Sequence, residues 1–335
     1  MTKSPPSCAQ WKLIDIAVNL TDKMYTGVYN GRHHHPSDIE PVLQRAVVAG
    51  VRGLLLTGGN LEESKAVIDM CARYTTDTLQ CLCTVGCHPT RCEEFLDDEE
   101  GYLKALDDLI ERHSVRAGGC VAAVGEIGLD YDRLSFCPKD IQKKYFEKQL
   151  VMAKRHRLPL FLHDRNTCGD FKELLRPYLP ELVGAVVHSF TGTWDELQEY
   201  LDANLFIGVN GCSLKTVENL EVVKTIPLER LMLETDAPWC EIKSTHASKK
   251  LLMAAAARTS SRQCVSDAVL TTFSTCRKEK FKEGCAVKGR NEPCAIVQVL
   301  EAVYELHRDE VSSMEHLAEV VMANTRKLFP FTAAL

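Results

Sequence analysis

The chain has 335 residues, of which 45% are hydrophobic and 26% are charged, and its formal net charge is −6. This composition is typical of a globular protein with a large core, and the negative charge argues against indiscriminate binding to nucleic acid without excluding a local basic patch. No apolar run is long enough to cross a bilayer, and no secretory signal follows Met1. We therefore expect a nuclear or cytoplasmic protein that is neither secreted nor membrane-bound.

Cysteines are numerous, but they indicate no disulfide framework. The 15 cysteines are an odd number with no repeated pairing, and we interpret them as reduced thiols of a nuclear or cytoplasmic protein. Cys81 and Cys83 are spaced as metal ligands can be. Because they lie inside an apolar, strand-like run, we interpret both as buried packing residues.

Short apolar runs alternate with longer amphipathic stretches along most of the chain. Strands that alternate with helices imply a parallel sheet, and eight of them imply a closed (β/α)8 TIM barrel. A doubly wound open sheet is the alternative, but it would normally show a GxGxxG loop after an early strand, and we find none. The eight predicted strands are 12–18, 53–57, 82–86, 121–125, 159–163, 183–188, 205–209 and 231–235.

The amphipathic stretches predict helices between and after these strands. Pro293 suits the first turn of a helix that opens at Arg290. No linker and no internal repeat beyond the βα unit stand out, so we predict one domain over residues 1–335 with a core of about 11–331. The predicted helices are 38–49, 62–74, 102–113, 140–156, 194–203, 290–306 and 314–328, the last on the outside of the barrel.

Glu126 directly follows the apolar run Val121–Val124 and Gly125. Because an unpaired buried carboxylate is costly, we expect Glu126 to face a cleft or to bind a metal. Taken alone, this motif fits a salt-bridged carboxylate at a strand end equally well. The residues at the other strand ends favour an active site centred on Glu126.

Polar side chains stand at the carboxyl end of every predicted strand. In a parallel barrel these ends share one mouth, where the active sites of such barrels lie. A single histidine there is usually an ordinary loop or core residue, but three histidines with a glutamate and an aspartate are typical of the metal-ligand set of a hydrolase. The loop residues His33–His35 have no matching carboxylate nearby, and we interpret them as surface. The strand-end residues are Asn19, Asn60, His88, Glu126, His163, His188, Asn210 and Asp236.

The segment after the eighth predicted strand is strongly basic. Residues 243–290 contain 11 Lys and Arg but 3 Asp and Glu, a local net charge of +8 in a chain of −6. An enlarged basic loop at the barrel mouth predicts contacts with the phosphates of DNA without base recognition. A solvated lobe with no role in binding is the alternative.

The ordered set of motifs resembles the TatD family of metal-dependent deoxyribonucleases, within the amidohydrolase-like barrels. The resemblance extends from about Trp11 to about Phe331, and it is closest to the eukaryotic TatD DNase domain-containing type. The matching motifs are Ile14–Thr21, Thr57–Asn60, Gly86–Thr90, Val124–Asp130, Phe161–Arg165, Val187–Gly192, Met232–Pro238 and Arg290–Pro293.

This resemblance implies a two-metal site that hydrolyses DNA phosphodiester bonds, with exonuclease activity. Glu126 would bridge the metals, His163 and His188 would hold one of them, and Asp236 would ligate the other or orient the attacking water. His88 would lie near the scissile phosphate. Mg2+ or Mn2+ is the expected ion, although imidazole ligands also accept Zn2+. The candidate substrate contacts are Asn19, Arg165, Asn291 and Glu292.

The sequence departs from the family pattern in two places. Many relatives have His-x-His after the first strand, where this chain has Ala17 and Asn19. An amide oxygen of Asn19 suits Mg2+, but the loss of two imidazoles leaves open whether one or two ions bind. The second departure is an apparent insertion at about 251–275, whose structure the sequence does not predict.

Two alternatives to a deoxyribonuclease remain from the sequence. The first is a metal-dependent amide or lactone hydrolase, because a barrel does not fix its substrate. The second is a non-catalytic DNA-binding relative, which Ala17 and Asn19 favour. We expect a monomer that binds DNA without sequence specificity. Strand polarity and a preference for DNA over RNA are open.

Overall fold

The computed structural model describes residues 11–258 and 264–332. Eight parallel strands lie side by side in chain order, each hydrogen-bonded to the next. The (β/α)8 prediction is therefore confirmed, with every predicted strand present. The strands are β1 Leu13–Val18, β2 Val51–Leu56, β3 Gln80–Val85, β4 Val121–Asp130, β5 Leu160–Arg165, β6 Ala185–Val187, β7 Phe206–Val209 and β8 Leu231–Leu233.

Amphipathic helices connect the strands and cover the barrel. Side chains cap several of them, as at α2, where Asn60 accepts from the backbone N–H of Glu63. No helix in the described residues is long and apolar enough to cross a membrane. The helices are α1 Ile39–Val48, α2 Leu61–Tyr74, α3 Glu99–His113, α4 Lys139–His156, α5 Asp170–Leu175, α6 Trp194–Asp202, α7 Val217–Val223, α8 Ala247–Arg258, α9 Val265–Leu270, α10 Ile296–His307 and α11 Met314–Leu328.

The first and last strands meet through a side chain as well as through backbone. Val18 forms a parallel bridge with Ala237. The buried carboxylate of Asp15 accepts hydrogen bonds from the backbone N–H of Thr235 at 2.9 Å and from its hydroxyl at 2.5 Å. Burial raises the pKa of Asp15 to about 8. Asp15 thus fixes the backbone that leads directly to Asp236.

The carboxyl-terminal segment fills the other end of the barrel. Helix α11 packs against β1 and β8, and the chain then places Phe329 and Phe331 in the interior cluster with Ile16 and Phe161. A Cβ added at Gly53, early in β2, would meet the Phe331 ring at 2.9 Å. The end opposite the mouth is therefore packed with aromatic side chains.

Strand β4 is longer than predicted. The sequence suggested that Gly125 ends it, but the strand continues to Asp130. Here the glycines permit close approach rather than a turn: a Cβ at Gly125 would lie 2.4 Å from the Phe161 carbonyl oxygen, and one at Gly128 would lie 1.8 Å from that of His163. Glu126 consequently lies inside a strand.

The region predicted as an insertion, 251–275, contains two helices in its described part. Residues 251–258 belong to α8, residues 265–270 form α9, and residues 259–263 lie outside the described residues. Two short strands, Thr275–Cys276 and Ala286–Val287, pair in parallel within the basic segment. The helix predicted to open at Arg290 begins at Ile296, because residues 290–292 enter a buried ion-pair network first. The single domain over 1–335 stays a prediction.

We expect Asp15→Ala to lower the free energy of unfolding by about 2–4 kcal/mol, because it removes three hydrogen bonds and leaves the buried N–H of Thr235 without its acceptor. Urea denaturation measures the change. Asp77→Ala, at an exposed position, is the matched control. Equal midpoints for the two variants would contradict a role for Asp15 in closing the barrel.

Candidate active site

A cavity of about 550 Å³ opens at the carboxyl ends of the strands. It brings together residues from all eight strand ends or the loops that follow them. Among the predicted site residues, those that line it are Asn19, His88, Glu126, His163, Arg165, His188 and Asp236.

Three imidazoles converge on a single oxygen of Glu126. The Oε1 atom lies 2.7 Å from Nε2 of His188, 2.8 Å from Nδ1 of His163 and 3.3 Å from Nε2 of His88. Glu126, His163 and His188 are all buried. Their donor atoms lie within 4.8 Å of one another, which is the spacing of a metal-binding group.

His163 uses its second nitrogen on another carboxylate. Its Nε2 lies 3.2 Å from Oδ2 of the buried Asp130. A carboxylate on the far nitrogen of a metal-binding histidine commonly fixes the ring and raises its basicity. Asp130, His163 and His88 also form a second group with metal-ligand spacing. The two groups with metal-ligand spacing therefore have His163 in common.

His188 is held between two glutamates. Beyond Glu126, its Nδ1 lies 3.5 Å from Oε1 of Glu234. That oxygen accepts from the backbone N–H of Ser189 and from Nδ2 of Asn210, both at 2.8 Å. Nδ1 of His188 and Oε2 of Glu234 are buried without a hydrogen-bond partner. The site thus contains polar atoms that the protein alone leaves unpaired.

The charges of this cluster are mutually stabilising. Burial alone would raise the pKa of Glu126, but the charges of His188 and His88 and hydrogen bonds from the imidazoles outweigh it and hold the pKa well below the ordinary value. Burial would lower the pKa of His188, but Glu126 and Glu234 raise it well above its ordinary value. At His88 burial prevails and lowers the pKa.

Asp236 lines the same cavity from the loop after β8. Its carboxylate accepts from Nδ2 of Asn19 at 2.8 Å and from the thiol of Cys240 at 3.2 Å. Burial raises the pKa of Asp236 to about 6, although the positive charge of His188 opposes this shift. Asp236 lies outside the group of Glu126, His163 and His188, so its predicted role as a ligand stays a prediction.

Two predicted substrate contacts lie elsewhere. Glu292 is buried and accepts from Arg45 at 2.7 Å and from Arg290 at 2.9 Å. Nδ2 of Asn291 donates to the carbonyl oxygens of Thr235 and Trp239, at 3.1 and 2.7 Å. Neither side chain lines the cavity. The Arg290–Pro293 motif therefore supports the loop that carries Asp236.

Sequence reasoning assigned no role to several residues of the site. Asp130 was hidden because the sequence suggested that the strand ends at Gly125, whereas it continues to Asp130. Glu234 was hidden because it stands before the predicted strand end. The exposed cations and the aromatic ring at the rim lie in short 3-10 helices and a loop after the strands, where spacing gives no signal; they are Arg91, Arg133 and Trp239.

The donor set fits a divalent metal ion. Carboxylate and imidazole groups with mixed nitrogen and oxygen donors suit Mn2+ and Zn2+, and oxygen donors suit Mg2+. Four carboxyl groups stand in or beside the three histidines, so the site offers several oxygen donors to an ion. The four carboxylates in or beside the cluster are Glu126, Asp130, Glu234 and Asp236.

A parallel barrel with imidazoles and carboxylates gathered at its mouth has the architecture of a metal-dependent hydrolase of the amidohydrolase type. The chain belongs to the TatD-related DNase family, whose model matches residues 14–330. This membership confirms the resemblance drawn from the sequence motifs.

Comparisons with individual relatives agree with this family membership. The chain is 44% identical over 321 residues to the deoxyribonuclease Tat-D of Schizosaccharomyces pombe, covering 95% of each chain. It is 36% identical over 230 residues to the 3′-5′ ssDNA/RNA exonuclease TatD of Citrobacter koseri, covering 68% of this chain and 79% of that one. The crystal structure of an uncharacterized amidohydrolase from Saccharomyces cerevisiae superposes with a TM-score of 0.86 at 36% identity, covering 95% of this chain and 100% of that one.

The ion pairs of Glu126 and His188 predict how pH affects the metal-free protein. The lowered pKa of Glu126 gives stability that is present above 4.5 and lost as pH falls through the folded-state pKa. The raised pKa of His188 gives stability that is present below 6.5 and lost as pH rises through the folded-state pKa. We expect Glu126→Gln to destabilise the chelator-treated protein most between pH 4.5 and pH 6.5, where both contributions are present.

Urea denaturation across pH measures this effect, with Glu221→Gln at an exposed position as the control. A loss of stability that is equal at about pH 5.5 and about pH 10 would contradict the charge pairing.

Proposed function

We propose that this protein is a metal-dependent deoxyribonuclease that hydrolyses DNA phosphodiester bonds as an exonuclease. The observation that carries the proposal is the convergence of three imidazoles on Oε1 of Glu126, inside a cavity that three arginines also line. Family membership and the names of the relatives, a deoxyribonuclease and a 3′-5′ ssDNA/RNA exonuclease, support it.

Glu126, His163 and His188 would hold a divalent ion, and Asp130 and Glu234 would orient the two histidines. Such an ion would shield the negative charge on the phosphoryl oxygens and would activate the attacking water. Mg2+ or Mn2+ is our first choice, and Zn2+ is the alternative. A second ion would use His88 and Asp130, so the absence of imidazoles at Ala17 and Asn19 does not remove every second set of donors.

Asp236 is the chain's own candidate for taking the proton of the attacking water. Its pKa, raised by burial to about 6, allows it to accept a proton near neutral pH. Asn19 holds the Asp236 carboxylate through Oδ1. Arg165 lines the cavity from the end of β5, where a guanidinium can bind a phosphate oxygen.

The surroundings of the cavity favour one direction for the bound strand. On one side lies a cleft of about 830 Å³ whose charged lining residues balance, with three bases, Lys23, Arg91 and Lys278, and three acids, Asp22, Glu62 and Glu63. It shares Trp239, an exposed indole at the rim, with the catalytic cavity. Exposed aromatic rings beside basic residues are typical of single-strand binding.

The opposite side is electrostatically unfavourable. The cleft there, about 560 Å³, shares Arg165 with the catalytic cavity and has an exposed Trp194. Its other charged lining residues in the described chain are all acidic: Asp132, Asp164, Glu196 and Glu218. Repulsion of phosphates there leads us to propose that the strand lies on the Trp239 side, next to Lys278.

Only part of the basic segment is placed for this role. Lys278 lies over the ring of Tyr29, with Nζ 4.9 Å from its centroid, in the cleft beside the cavity. Lys280 and Lys282 line a different cleft of about 430 Å³. Arg290 is buried in ion pairs with Asp38 and Glu292. Lys278 is therefore the member of the segment that we propose as a phosphate contact.

The alternatives keep specific support. An amide or lactone hydrolase would use the same cluster, but the arginines of the cavity and Lys278 favour a polyanionic substrate. A non-catalytic DNA-binding relative would need the metal chemistry to be lost, whereas Glu126, His163 and His188 remain grouped. We also propose a monomer in the nucleus or cytoplasm, in keeping with the free cysteines of the described residues.

We expect Glu126→Ala to abolish chelator-sensitive cleavage of single-stranded DNA, because no other side chain in the described part of the chain contacts all three histidines. Release of nucleotides from end-labelled DNA measures the activity, with amide and lactone substrates in parallel. Glu221→Ala, on the outer surface, is the control. Cleavage by folded Glu126→Ala at the rate of the unchanged protein would refute the assignment.

We expect Trp239→Ala to raise KM for single-stranded DNA by about 5- to 150-fold, because stacking on one base contributes about 1–3 kcal/mol. Trp194→Ala, which removes an equally exposed indole on the acidic side, is the matched control. We expect Lys278→Ala to reduce the salt dependence of binding by about one phosphate contact, with Lys282→Ala unchanged.

Steady-state kinetics on single- and double-stranded DNA, and binding at several salt concentrations, measure these effects. A larger loss in Trp194→Ala than in Trp239→Ala would place the strand on the acidic side instead. Equal salt slopes for Lys278→Ala and the unchanged protein would remove Lys278 from the binding surface.

A further inference from the structure

Three thiols meet on the outside of the barrel, away from its mouth. Cys71 lies on the inner face of α2, Cys83 lies on β3, and Cys120 directly precedes β4. Their sulfur atoms lie within 4.8 Å of one another, and the Sγ atoms of Cys83 and Cys120 are 3.8 Å apart. The backbone holds this arrangement, since the N–H of Cys83 donates to the Cys120 carbonyl at 2.9 Å.

The spacing of these sulfurs is too long for a disulfide and fits either a thiol hydrogen bond or a shared metal ion. A disulfide requires an S–S distance of about 2.05 Å, well below the 3.8 Å between Cys83 and Cys120. Zinc bonds of about 2.3 Å in a tetrahedral site separate neighbouring sulfur ligands by about 3.8 Å. The observed distance therefore matches that of two thiolates on one ion.

We propose that Cys71, Cys83 and Cys120 form a second metal site for a thiophilic cation, with Zn2+ as the physiological ion. Soft thiolate ligands select such ions over Mg2+ and Ca2+, so this site differs in chemistry from the cluster around Glu126. Cys81 and Cys83 are both buried in the hydrophobic core, as predicted, and the proposal adds a ligand role for Cys83.

The surroundings permit an ion to enter and to act on stability. Cys71 and Cys83 are buried, but Cys120 is partly exposed and opens the group to solvent. Bound to all three, the ion joins α2 to the start of β4 through β3, which stabilises the folded state.

The test uses Cd2+ as the probe, on the full chain after treatment with chelator and reductant. The 113Cd NMR spectrum of the unchanged protein should contain a resonance in the thiolate-rich region. Glu126→Ala should keep this resonance, because that residue belongs to the other cluster. Cys120→Ala should lose it together with about one equivalent of bound Cd2+, whereas Cys92→Ala, at a buried cysteine outside the group, should keep both.

X-ray absorption on the unchanged protein gives a readout that needs no variant. At one equivalent of Cd2+ with excess Mg2+, we expect at least three sulfur neighbours. Fewer than three sulfurs, or a thiolate resonance that survives in Cys120→Ala, would overturn the proposal. Cd2+ should also raise the Tm of the unchanged protein but not that of Cys120→Ala. None of these readouts measures DNA cleavage, so the test of the thiol site is independent of the proposed nuclease function.

Discussion

One oxygen atom of Glu126 is the point on which the site depends. A buried carboxylate is costly unless it is paired, and here three imidazoles from β3, β5 and β6 or their ends approach the same oxygen. The same pairing holds the pKa of Glu126 low and that of His188 high. Each histidine therefore has a defined partner before any ion binds, and the cluster is preorganised for one.

Carboxylates around Glu126 contact the outer nitrogens of its histidines and are part of a wider set of buried polar contacts. Asp130 fixes His163, Glu234 lies beside His188, and Asn210 and Ser189 hold Glu234. On the far side of the mouth, Asp15 closes the barrel at Thr235, and Asn291 holds the backbone around Asp236. The fold and the site are thus connected by the same buried polar groups, because the strands whose pairing forms the barrel also end at its mouth.

Charge outside the cavity distinguishes the two clefts through which a DNA strand could reach it, which are alike in carrying an exposed tryptophan. Exposed tryptophans stand on both sides of the mouth. The cleft at Trp194 is lined by four acids and one arginine, whereas in the cleft at Trp239 three acids are balanced by three bases that include Lys278 and Arg91. A phosphate backbone discriminates between these environments over several ångströms. The position of Lys278 also shows that the basic segment is not uniform, since Lys280 and Lys282 line another cleft and Arg290 is buried.

The sequence by itself determined the barrel, its strand order and the members of the central cluster, because hydrophobic periodicity is local and because parallel strands carry their terminal residues to one mouth. It misplaced the end of β4, since a glycine that ends a strand and one that admits a neighbouring backbone look alike in sequence. Only the tertiary structure decided that Asp130 supports His163, that Glu292 lies in an ion-pair network, and that Cys71 meets Cys83 and Cys120. Those contacts join residues far apart in the chain, and their distances depend on how the helices pack against the strands.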